Sequence, residues 1–579
     1  MAEKKKSKKA SFDKLKEQMI GYIQNIKTYE DWDKFVQMFM LRFPERKKKF
    51  ATVTGIEVKR LYTPNDIKDL DYNRDIGYPS VPPFTRGVYP TMHRGVVFTQ
   101  RLICGTGTPE DTNERLKFLI SQGQTGLNVI YDLPSHRGID PDDRRSRGEV
   151  GKDGVNCACL EDQRAIFKDI EYQKYSVSQI TAIHVLCMYI AMAELDGVDI
   201  ATLKGTVQSD MFNAIQGCGA LASDVSRRGP GAIDYSVEIC VDIIEFCAKY
   251  MPKWYPISIV GRNIRESGAD AVSEIGLAFS NGLAFVDKAV ARGLDINEFG
   301  ERLSFMFCCE NDFFEEVAKF RAARRVWYRL MKEKGATNPL AMLVRMHVQN
   351  SSLAYTAQQP LNNIIRGTLH TTAAALGGAQ SLHTNAYDEA WGLPTEKAAM
   401  IALRTQQIII EESGILDTID PLAGSYYMEA LTNELEKRIY EFVKDMQARG
   451  GSVKLTESGW VANILQRNAL RFQKEIETGE RVVVGVNKYV LEDEKLDIEI
   501  HEIPEEVAQH QIERIQRVRQ ERDPIKWKEA MDELKRLCDA KQKDPNVNIM
   551  RALIEAYKAG ATLGECYNNA IWPPDRFMK

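Results

Sequence analysis

The chain has 579 residues, too many for a single ordinary hydrophobic core, so we expect two or three structural regions. Hydrophobic residues make up 44% of the chain and charged residues 27%, as in soluble globular proteins, and no segment approaches the roughly 20 apolar residues that cross a bilayer. The net charge of −4 and the scattered basic residues argue against nucleic acid as a partner. A cytoplasmic protein that binds neither membranes nor nucleic acid is expected.

Residues 1–84 are predicted to form an N-terminal arm. It begins with a lysine-rich segment that lacks the apolar stretch of a secretory signal, and two amphipathic helices are predicted at 12–27 and 29–40. Prolines at positions 79, 82 and 83 then lead into the next region. The eleven cysteines of the chain show no paired Cys-x-x-Cys pattern, so no metal site is predicted and reduced, mostly buried thiols are expected.

From residue 85 to about residue 415, short apolar strands alternate with helical stretches. This alternation is typical of βα repeats with parallel strands, and it predicts an α/β fold of the (β/α)8 barrel type. A regular spacing of aromatic residues between Phe313 and Met331 predicts one helix of the barrel shell, and Thr395 and Gly414 are suited to begin and end a last helix at 396–413. The predicted strands lie at 126–133, 175–180, 205–208, 256–261, 302–307, 344–349 and 380–385.

The remaining residues, 416–579, are predicted to form a mainly helical C-terminal linker module. One strand is predicted at 481–489, where the sequence reads RVVVGVNKY, and helices are predicted from 505 to 570. An acidic segment at 491–505 separates the two.

Three predicted strands end in polar side chains. They read GTVQ (205–208), RMHVQ (345–349) and QSLHTN (380–385). In a parallel barrel the carboxyl ends of all strands meet on one face, where the functional site lies. The pattern therefore predicts a barrel enzyme.

Four longer sequence motifs carry a resemblance to a known family. With YPTMH (89–93), DLPSHRG (132–138), FGERLSF (299–305) and SLHTNAYDEA (381–390), the chain resembles the methylmalonyl-CoA mutase family over roughly residues 85–570. The resemblance implies a barrel threaded by coenzyme A and a radical rearrangement that depends on adenosylcobalamin. No DxHxxG motif occurs, so the cobalt ligand is expected on a small cobalamin-binding subunit, in a heterotetramer of two large and two small subunits.

The resemblance also assigns residues to roles. Gln208 corresponds to the amide donor to the thioester carbonyl. Gly105, Glu266, Asn385 and Glu389 correspond to positions near the cofactor. The positions implied to contact acyl-CoA are Tyr89, Thr91, Met92, Thr99, Arg101, Ser178, Arg302, Ser304, His347, Gln349, Gln380 and Ser381.

Four departures from the family pattern bear on the substrate. Cys218 stands where methylmalonyl-CoA mutase has its carboxylate-binding arginine, and Ile103 replaces a tyrosine that shields the radical. Tyr131 stands where the hydroxyl-specific relatives place an aspartate. Arg262-Asn263 replaces a Tyr-His pair, and the Asn263 amide can donate to the thioester carbonyl but cannot shuttle a proton as a histidine can. We therefore expect a roomy cavity without a guanidinium. A carboxylate buried there without a cationic partner would cost several kcal/mol, so the acyl group that rearranges is expected to be uncharged.

The predicted function is thus the rearrangement of a branched or bulky acyl-CoA that lacks a free carboxylate. A mutase of the 2-hydroxyisobutyryl-CoA type is an alternative. A non-catalytic paralogue that binds coenzyme A or a corrinoid subunit is another, motivated by Cys218 and Asn263. A metal-dependent barrel hydrolase has less support, since the HxH start common to such sites is missing.

Overall fold

The computed structural model describes residues 20–41, 43–219, 231–494 and 498–572. The chain divides into two compact units, Met1–Leu61 and Tyr62–Lys579. In the first unit, residues 20–25 are helical and the rest of the helix predicted at 12–27 lies mostly outside the described residues. Helix α1 (Tyr29–Met40) forms as predicted, because Thr28 and Asp31 cap its N-terminus reciprocally.

The second unit is built on nine short strands, all of them parallel where they pair in the described part of the chain. The pairing order is β1-β9-β8-β7-β6 in one set and β2-β3-β4-β5 in the other. The strands are β1 (Thr99–Gln100), β2 (Gly126–Ile130), β3 (Ser176–Ile180), β4 (Lys204–Val207), β5 (Trp254–Tyr255), β6 (Ile257–Val260), β7 (Leu303–Cys309), β8 (Arg345–Asn350) and β9 (Ser381–His383).

The two sets close into one barrel at two joints. Only Pro256, which has no N–H to donate, separates β5 from β6, so the two act as one barrel strand that pairs with β4 through Tyr255 and with β7 from Ile257 onward. At the other joint, the chain after β1 bridges to β2 through Cys104 and Val129. The result is a closed (β/α)8 barrel, as the alternation predicted.

The barrel helices cover the outside of the strands. In the helix predicted around 313–331, Trp327 packs inward, with its ring tilted against Phe279 and edge to ring against Phe305. These helices are α2 (Pro109–Ser121), α3 (Leu133–Arg137), α4 (Leu160–Ile166), α5 (Ile183–Leu195), α6 (Ala232–Tyr250), α7 (Arg262–Glu266), α8 (Ala271–Ala291), α9 (Ile296–Phe299), α10 (Phe313–Glu333), α11 (Asn362–Leu376) and α12 (Glu396–Glu411).

The last barrel helix begins where it was predicted to begin and ends at Glu411, two residues before the predicted end. The Thr395 hydroxyl accepts the N–H of Ala398 and so caps α12, and Gly414 adopts the left-handed conformation (φ 68°) that a side chain would disfavour.

The C-terminal region is helical and packs against the barrel. Helices α13 to α15 share an apolar cluster with α7 and α8 that includes Ile264, Leu277 and Leu455. Asp140 of the barrel accepts hydrogen bonds from Thr562 and Gly564. The helices are α13 (Tyr426–Ala448), α14 (Gly451–Glu457), α15 (Trp460–Glu477), α16 (Glu506–Glu521), α17 (Pro524–Lys541), α18 (Met550–Lys558) and α19 (Leu563–Cys566).

The prediction of a strand at 481–489 is wrong. The segment turns back on itself, with a single bridge between Val484 and Lys488, and the Asn487 side chain accepts the N–H of Val483. Val482, Val484 and Val486 are all exposed. A valine-rich run forms a strand only where a partner edge is available, and none lies beside this segment in the described structure. No helix among the described residues is long and apolar enough to span a membrane.

Candidate active site

Two connected cavities run along the barrel axis. The upper cavity lies at the carboxyl ends of the strands and has a volume of about 260 Å³. The lower channel runs through the amino-terminal half of the barrel and has a volume of about 190 Å³. Ile180, Gln208 and Met306 line both, so the two cavities meet at the end of β4.

The lower channel exists because the barrel interior is lined by small polar side chains. In an ordinary barrel, bulky branched side chains from alternate strands fill this space. Here the successive inward positions are hydroxyl-bearing and leave the axis open; they are Ser176, Ser178, Thr206, Ser258, Ser304 and Ser381. The channel can therefore admit a narrow, extended ligand with polar groups along its length.

Two of the larger side chains in the lower channel have atoms without protein partners. Arg101 donates from Nη2 to Ser176 Oγ at 2.6 Å, while its buried Nε meets no acceptor among the described residues. Burial lowers the pKa of Arg101 to about 10. His347 Nδ1 lies 2.8 Å from Ser381 Oγ and its Nε2 is unpartnered, and burial lowers the pKa of its imidazole well below the usual value. Unsatisfied buried groups of this kind are typical of a ligand site.

The lower channel gathers most of the positions predicted to contact acyl-CoA. Thr91, Met92 and Arg302 lie outside both cavities: Thr91 is exposed, Met92 is buried beside Gly87, and Arg302 lies 5.6 Å from the ring of Tyr255, which does line the channel. Gln349 instead lines the upper cavity, where its Nε2 donates to Asn385. The positions in the channel wall are Tyr89, Thr99, Arg101, Ser178, Ser304, His347, Gln380 and Ser381.

Gln208 stands where the two cavities join. It follows β4 directly, is buried, and its Nε2 lies 2.9 Å from the sulfur of Met306. A thioether sulfur is a weak acceptor, so the Gln208 amide can instead donate to a stronger acceptor, such as a carbonyl oxygen.

One wall of the upper cavity is apolar. Leu102, Ile103 and Ile130 line it. The backbone N–H of Ile103 donates to His383 Nδ1 at 2.9 Å, and burial lowers the pKa of His383 to about 3, so the ring is neutral and can accept. Nearby, Gly105 packs so closely on β2 that a Cβ would lie 2.1 Å from the Ile130 carbonyl oxygen, which explains the glycine.

Tyr131 does not lie in the upper cavity, contrary to the sequence-based expectation. Its ring is buried behind β2, with the hydroxyl donating to Gln163 Oε1 at 3.3 Å, and burial raises its pKa well above the usual value. Successive residues of a strand point to opposite faces, so Ile130 faces the cavity and Tyr131 faces the helices. The cavity wall therefore receives the apolar side chain of Ile130 and not the phenol of Tyr131.

The expectations for Cys218 and for a cavity without a guanidinium also fail. Cys218 is exposed and outside both cavities. Arg262 and Arg115 both line the upper cavity. Arg262 forms an ion pair with Glu266 at 2.8 Å, and Arg115 donates to the carbonyl oxygen of Pro394.

The carboxylates assigned near the cofactor belong to one network with Arg262. Ser352 is its hub: its backbone N–H donates to Glu266 at 2.6 Å, and its hydroxyl donates to Glu389 at 2.7 Å. The same hydroxyl accepts from Arg262 and from Asn385. Glu389 lines the cavity, and burial raises the pKa of its carboxyl. Asn263 lines the cavity beside this network.

Sequence reasoning missed several residues of the upper cavity. The alternation of β2 could have identified Ile130. His501 had no such signal, since it reaches the cavity from the C-terminal region, where its Nε2 lies 3.2 Å from Thr106 Oγ1. Ser352 was missed because it follows β8 outside the polar motif. Among the described residues, no group of three His, Cys, Asp or Glu side chains is arranged to hold a metal ion.

Comparison with known proteins agrees with this geometry. The family model described as methylmalonyl-CoA mutase matches residues 51–571. The chain is 44% identical to the 2-hydroxyisobutanoyl-CoA mutase large subunit of Aquincola tertiaricarbonis, over 94% of this chain and 96% of that protein. It is 40% identical to methylmalonyl-CoA mutase of Cereibacter sphaeroides over 89% of this chain and 71% of that protein, and 38% identical to that of Escherichia coli over 91% and 72%. The chain therefore belongs to the methylmalonyl-CoA mutase family and is an enzyme of the acyl-CoA mutase kind.

Proposed function

We propose that this chain is the substrate-binding large subunit of an adenosylcobalamin-dependent mutase that rearranges a branched or bulky acyl-CoA without a free carboxylate. The observation that carries the proposal is the composition of the upper cavity. Its apolar wall leaves room beside Gln208, and its arginine Arg262 is already neutralised by Glu266.

The lower channel suits the pantetheine arm of coenzyme A. This arm is narrow and carries amide groups, and a lining of hydroxyls can meet such groups at several levels. Arg101 Nε and His347 Nε2 each need an acceptor or donor that the protein does not supply among the described residues. With the arm in the channel, the thioester reaches the junction of the cavities, where the Gln208 amide contacts the sulfur of Met306.

Charge balance in the upper cavity argues for a neutral acyl group. Arg262 is paired with Glu266, and Glu389 and Asp153 add two further acidic groups to a wall whose other cation is Arg115. An acyl carboxylate would bring one more negative charge into a partly buried place where the acidic groups Glu266, Glu389 and Asp153 already outnumber the two arginines. Burying an unpaired charge costs several kcal/mol, so such substrates are disfavoured.

The residues present fit the cofactor that the family implies. Glu389 Oε1 accepts from Ser352, while its Oε2 meets no donor among the described residues and so suits a ribose hydroxyl. Asn385 and Glu266 hold the same network in place. When bound, adenosylcobalamin supplies the radical that starts the rearrangement, and the cavity walls exclude water from it. We place the cobalt ligand on a small corrinoid subunit with a DxHxxG motif, in a heterotetramer.

A reconstitution assay tests the proposal. The purified chain, a small corrinoid subunit, adenosylcobalamin and a panel of acyl-CoAs are mixed, and isomerised products are measured. We expect turnover of neutral branched substrates such as isobutyryl-CoA or pivalyl-CoA. Turnover confined to methylmalonyl-CoA would refute the neutral-substrate proposal, and tight acyl-CoA binding without turnover of any substrate would favour the non-catalytic alternative.

A second candidate function has one finding in its favour. The relative that matches over 96% of its length is named for 2-hydroxyisobutanoyl-CoA. Ile130 faces the cavity and Tyr131 does not, so β2 brings no polar side chain to a substrate hydroxyl at these two positions. Inclusion of 2-hydroxyisobutyryl-CoA in the panel decides between the two, because an apolar wall should favour the substrate without the hydroxyl.

A further inference from the structure

Arg262 occupies a central place in the upper cavity and makes contacts beyond its ion pair with Glu266. It begins α7, directly after β6, and only 14% of its side chain is exposed. Its Nη1 contacts Glu266 at 2.8 Å and Asn263 Oδ1 at 2.9 Å, and its Nη2 donates to Ser352 Oγ at 2.7 Å. The guanidinium is therefore held on two sides.

The contact with Asn263 decides how the amide of that residue is oriented. A guanidinium has donors only, so the group of Asn263 that faces it must be the carbonyl oxygen. An amide turned the other way would set donor against donor and lose a charge-assisted hydrogen bond. Nδ2 is consequently directed away from Arg262, and it meets no protein acceptor within the described part of the chain.

Asn263 lies in the wall of the same cavity as Gln208. The two side chains can thus present two amide donors to one oxygen at the junction of the cavities. Gln208 is set by strand β4, whereas Asn263 would turn freely about its last torsion if nothing fixed it. Arg262 supplies that restraint and is itself anchored by Glu266 and Ser352.

We propose that Arg262 is a positioning residue that fixes the Asn263 amide so that its Nδ2 donates, beside Gln208, to the thioester carbonyl oxygen of the substrate. The proposal rests on the function proposed above, because it requires an acyl-CoA thioester at the end of the lower channel. Arg262 itself touches neither the substrate carbonyl nor the reacting carbon in this arrangement. Its contribution is the orientation of a neighbouring donor.

A pair of ligands isolates this hydrogen bond. One is an acyl-CoA thioester, and the other is the matching CoA thioether, in which a methylene replaces the carbonyl. Both are titrated calorimetrically into the large subunit alone, so the result does not depend on the cofactor. We expect the wild-type protein to bind the thioester about tenfold more tightly than the thioether, since only the thioester offers an acceptor.

In Arg262→Met the preference for the thioester should fall about fivefold, while the affinity for the thioether stays the same. Asn263→Asp keeps the bond to Arg262 but replaces the donor with an acceptor, so it should lose the preference to a similar degree in a protein that still folds. The Arg262→Met change should have no further effect in the Asn263→Asp background, because both remove the same donor. Arg329→Met, which breaks an exposed Arg–Glu pair of the same spacing, is the matched control.

The outcomes separate the two proposals. Equal weakening of both ligands by Arg262→Met would mean that Arg262 only maintains the structure, and additive effects of the two changes would mean that it acts on something other than Asn263. Either result overturns the inference. Failure of the wild-type protein to bind both ligands would instead refute the proposed function, and the inference with it.

Discussion

The lower channel and the upper cavity are built on opposite electrostatic principles. In the lower channel, Arg101 Nε and His347 Nε2 are buried and meet no partner among the residues that the structure describes, so polar groups there are available to a ligand. In the upper cavity, most of the guanidinium of Arg262 and the carboxylates of Glu266 and Glu389 satisfy one another through Ser352. The charged side chains of the upper cavity thus pair with one another, although Arg262 Nε and Glu389 Oε2 still meet no partner among the described residues.

This contrast matches two different tasks. Unsatisfied buried groups destabilise the free protein, and this cost is removed when a ligand supplies their hydrogen-bond partners. Such groups suit recognition of the coenzyme A portion, which all the substrates share. A network that is already satisfied gives little to a charged group and leaves selection to shape, which suits recognition of a variable acyl group. The following experiments test whether the two regions differ in this way.

The largest effect is expected at Gln208, where the regions meet. Gln208→Leu removes the amide donor at the junction, and loss of one donor to a reacting carbonyl typically costs about 100-fold in rate. The kcat/KM of the reconstituted enzyme measures the change. Met306→Leu removes the sulfur that Gln208 contacts but keeps the volume, and it should cost far less. Equal losses in both variants would show that packing, not the donor, matters at this point.

A smaller effect is expected in the lower channel. Burial lowers the pKa of Arg101 from its ordinary value to about 10, so the folded protein binds this proton less tightly than the unfolded chain, and stability rises as the pH climbs above about 10. The charged side chain therefore costs stability near neutral pH. Arg101→Met should weaken acyl-CoA binding by about 30-fold, the loss of one charged hydrogen bond, while the melting temperature of the free protein stays the same or rises.

Calorimetry and thermal unfolding of the same Arg101→Met preparation provide both readouts. A fall in melting temperature together with unchanged affinity would mean that Arg101 is structural, and the contrast between the regions would then be lost.

In the upper cavity, removal of one carboxylate should change selectivity. Glu266→Gln leaves the charge of Arg262 without its ion-pair partner, so a substrate carboxylate could take that place. We expect the affinity ratio of succinyl-CoA to isobutyryl-CoA to rise about tenfold. Glu436→Gln, which removes an acidic partner of Arg325 away from both cavities, is the control. An unchanged ratio in Glu266→Gln would contradict the charge-balance argument.

The smallest effect concerns the support of Gln208. Asp210 is buried and accepts the backbone N–H groups of Phe212 and Val260, and burial raises its pKa to about 7 from 3.8. The folded protein thus binds this proton more tightly than the unfolded chain does. Its contribution to stability is full below about pH 4 and is lost as the pH rises towards 7.

Between pH 6 and 7 the free energy of unfolding should fall by about 1 kcal/mol because of Asp210. Asp210→Asn should remove this dependence, as measured by urea unfolding at several pH values. A slope that is the same in the variant and the wild type would assign the pH dependence to other groups.

Much of the site was predictable because strand ends are local features. The motifs at 205–208, 345–349 and 380–385 predicted polar groups at one face of the barrel. Gln208, Gln349 and Ser381 of these motifs all lie in the cavity walls. Errors arose where a side chain's direction mattered. Tyr131 was expected in the cavity but lies on the other face of β2, and the valines at 482–486 resembled a strand although no strand edge of the described structure lies beside them.

The sequence by itself determined the family, the alternation of strands and helices, and the small hydroxyl residues that keep the barrel axis open, because each of these depends on residue type and local spacing. Only the tertiary structure decided the charge of the upper cavity. Arg262 and Glu266 are near in sequence, but the balance also depends on Ser352 and Glu389, which reach the same point from after β8 and β9. Electrostatic neutrality is a property of groups brought together by folding, so residue order alone cannot specify it.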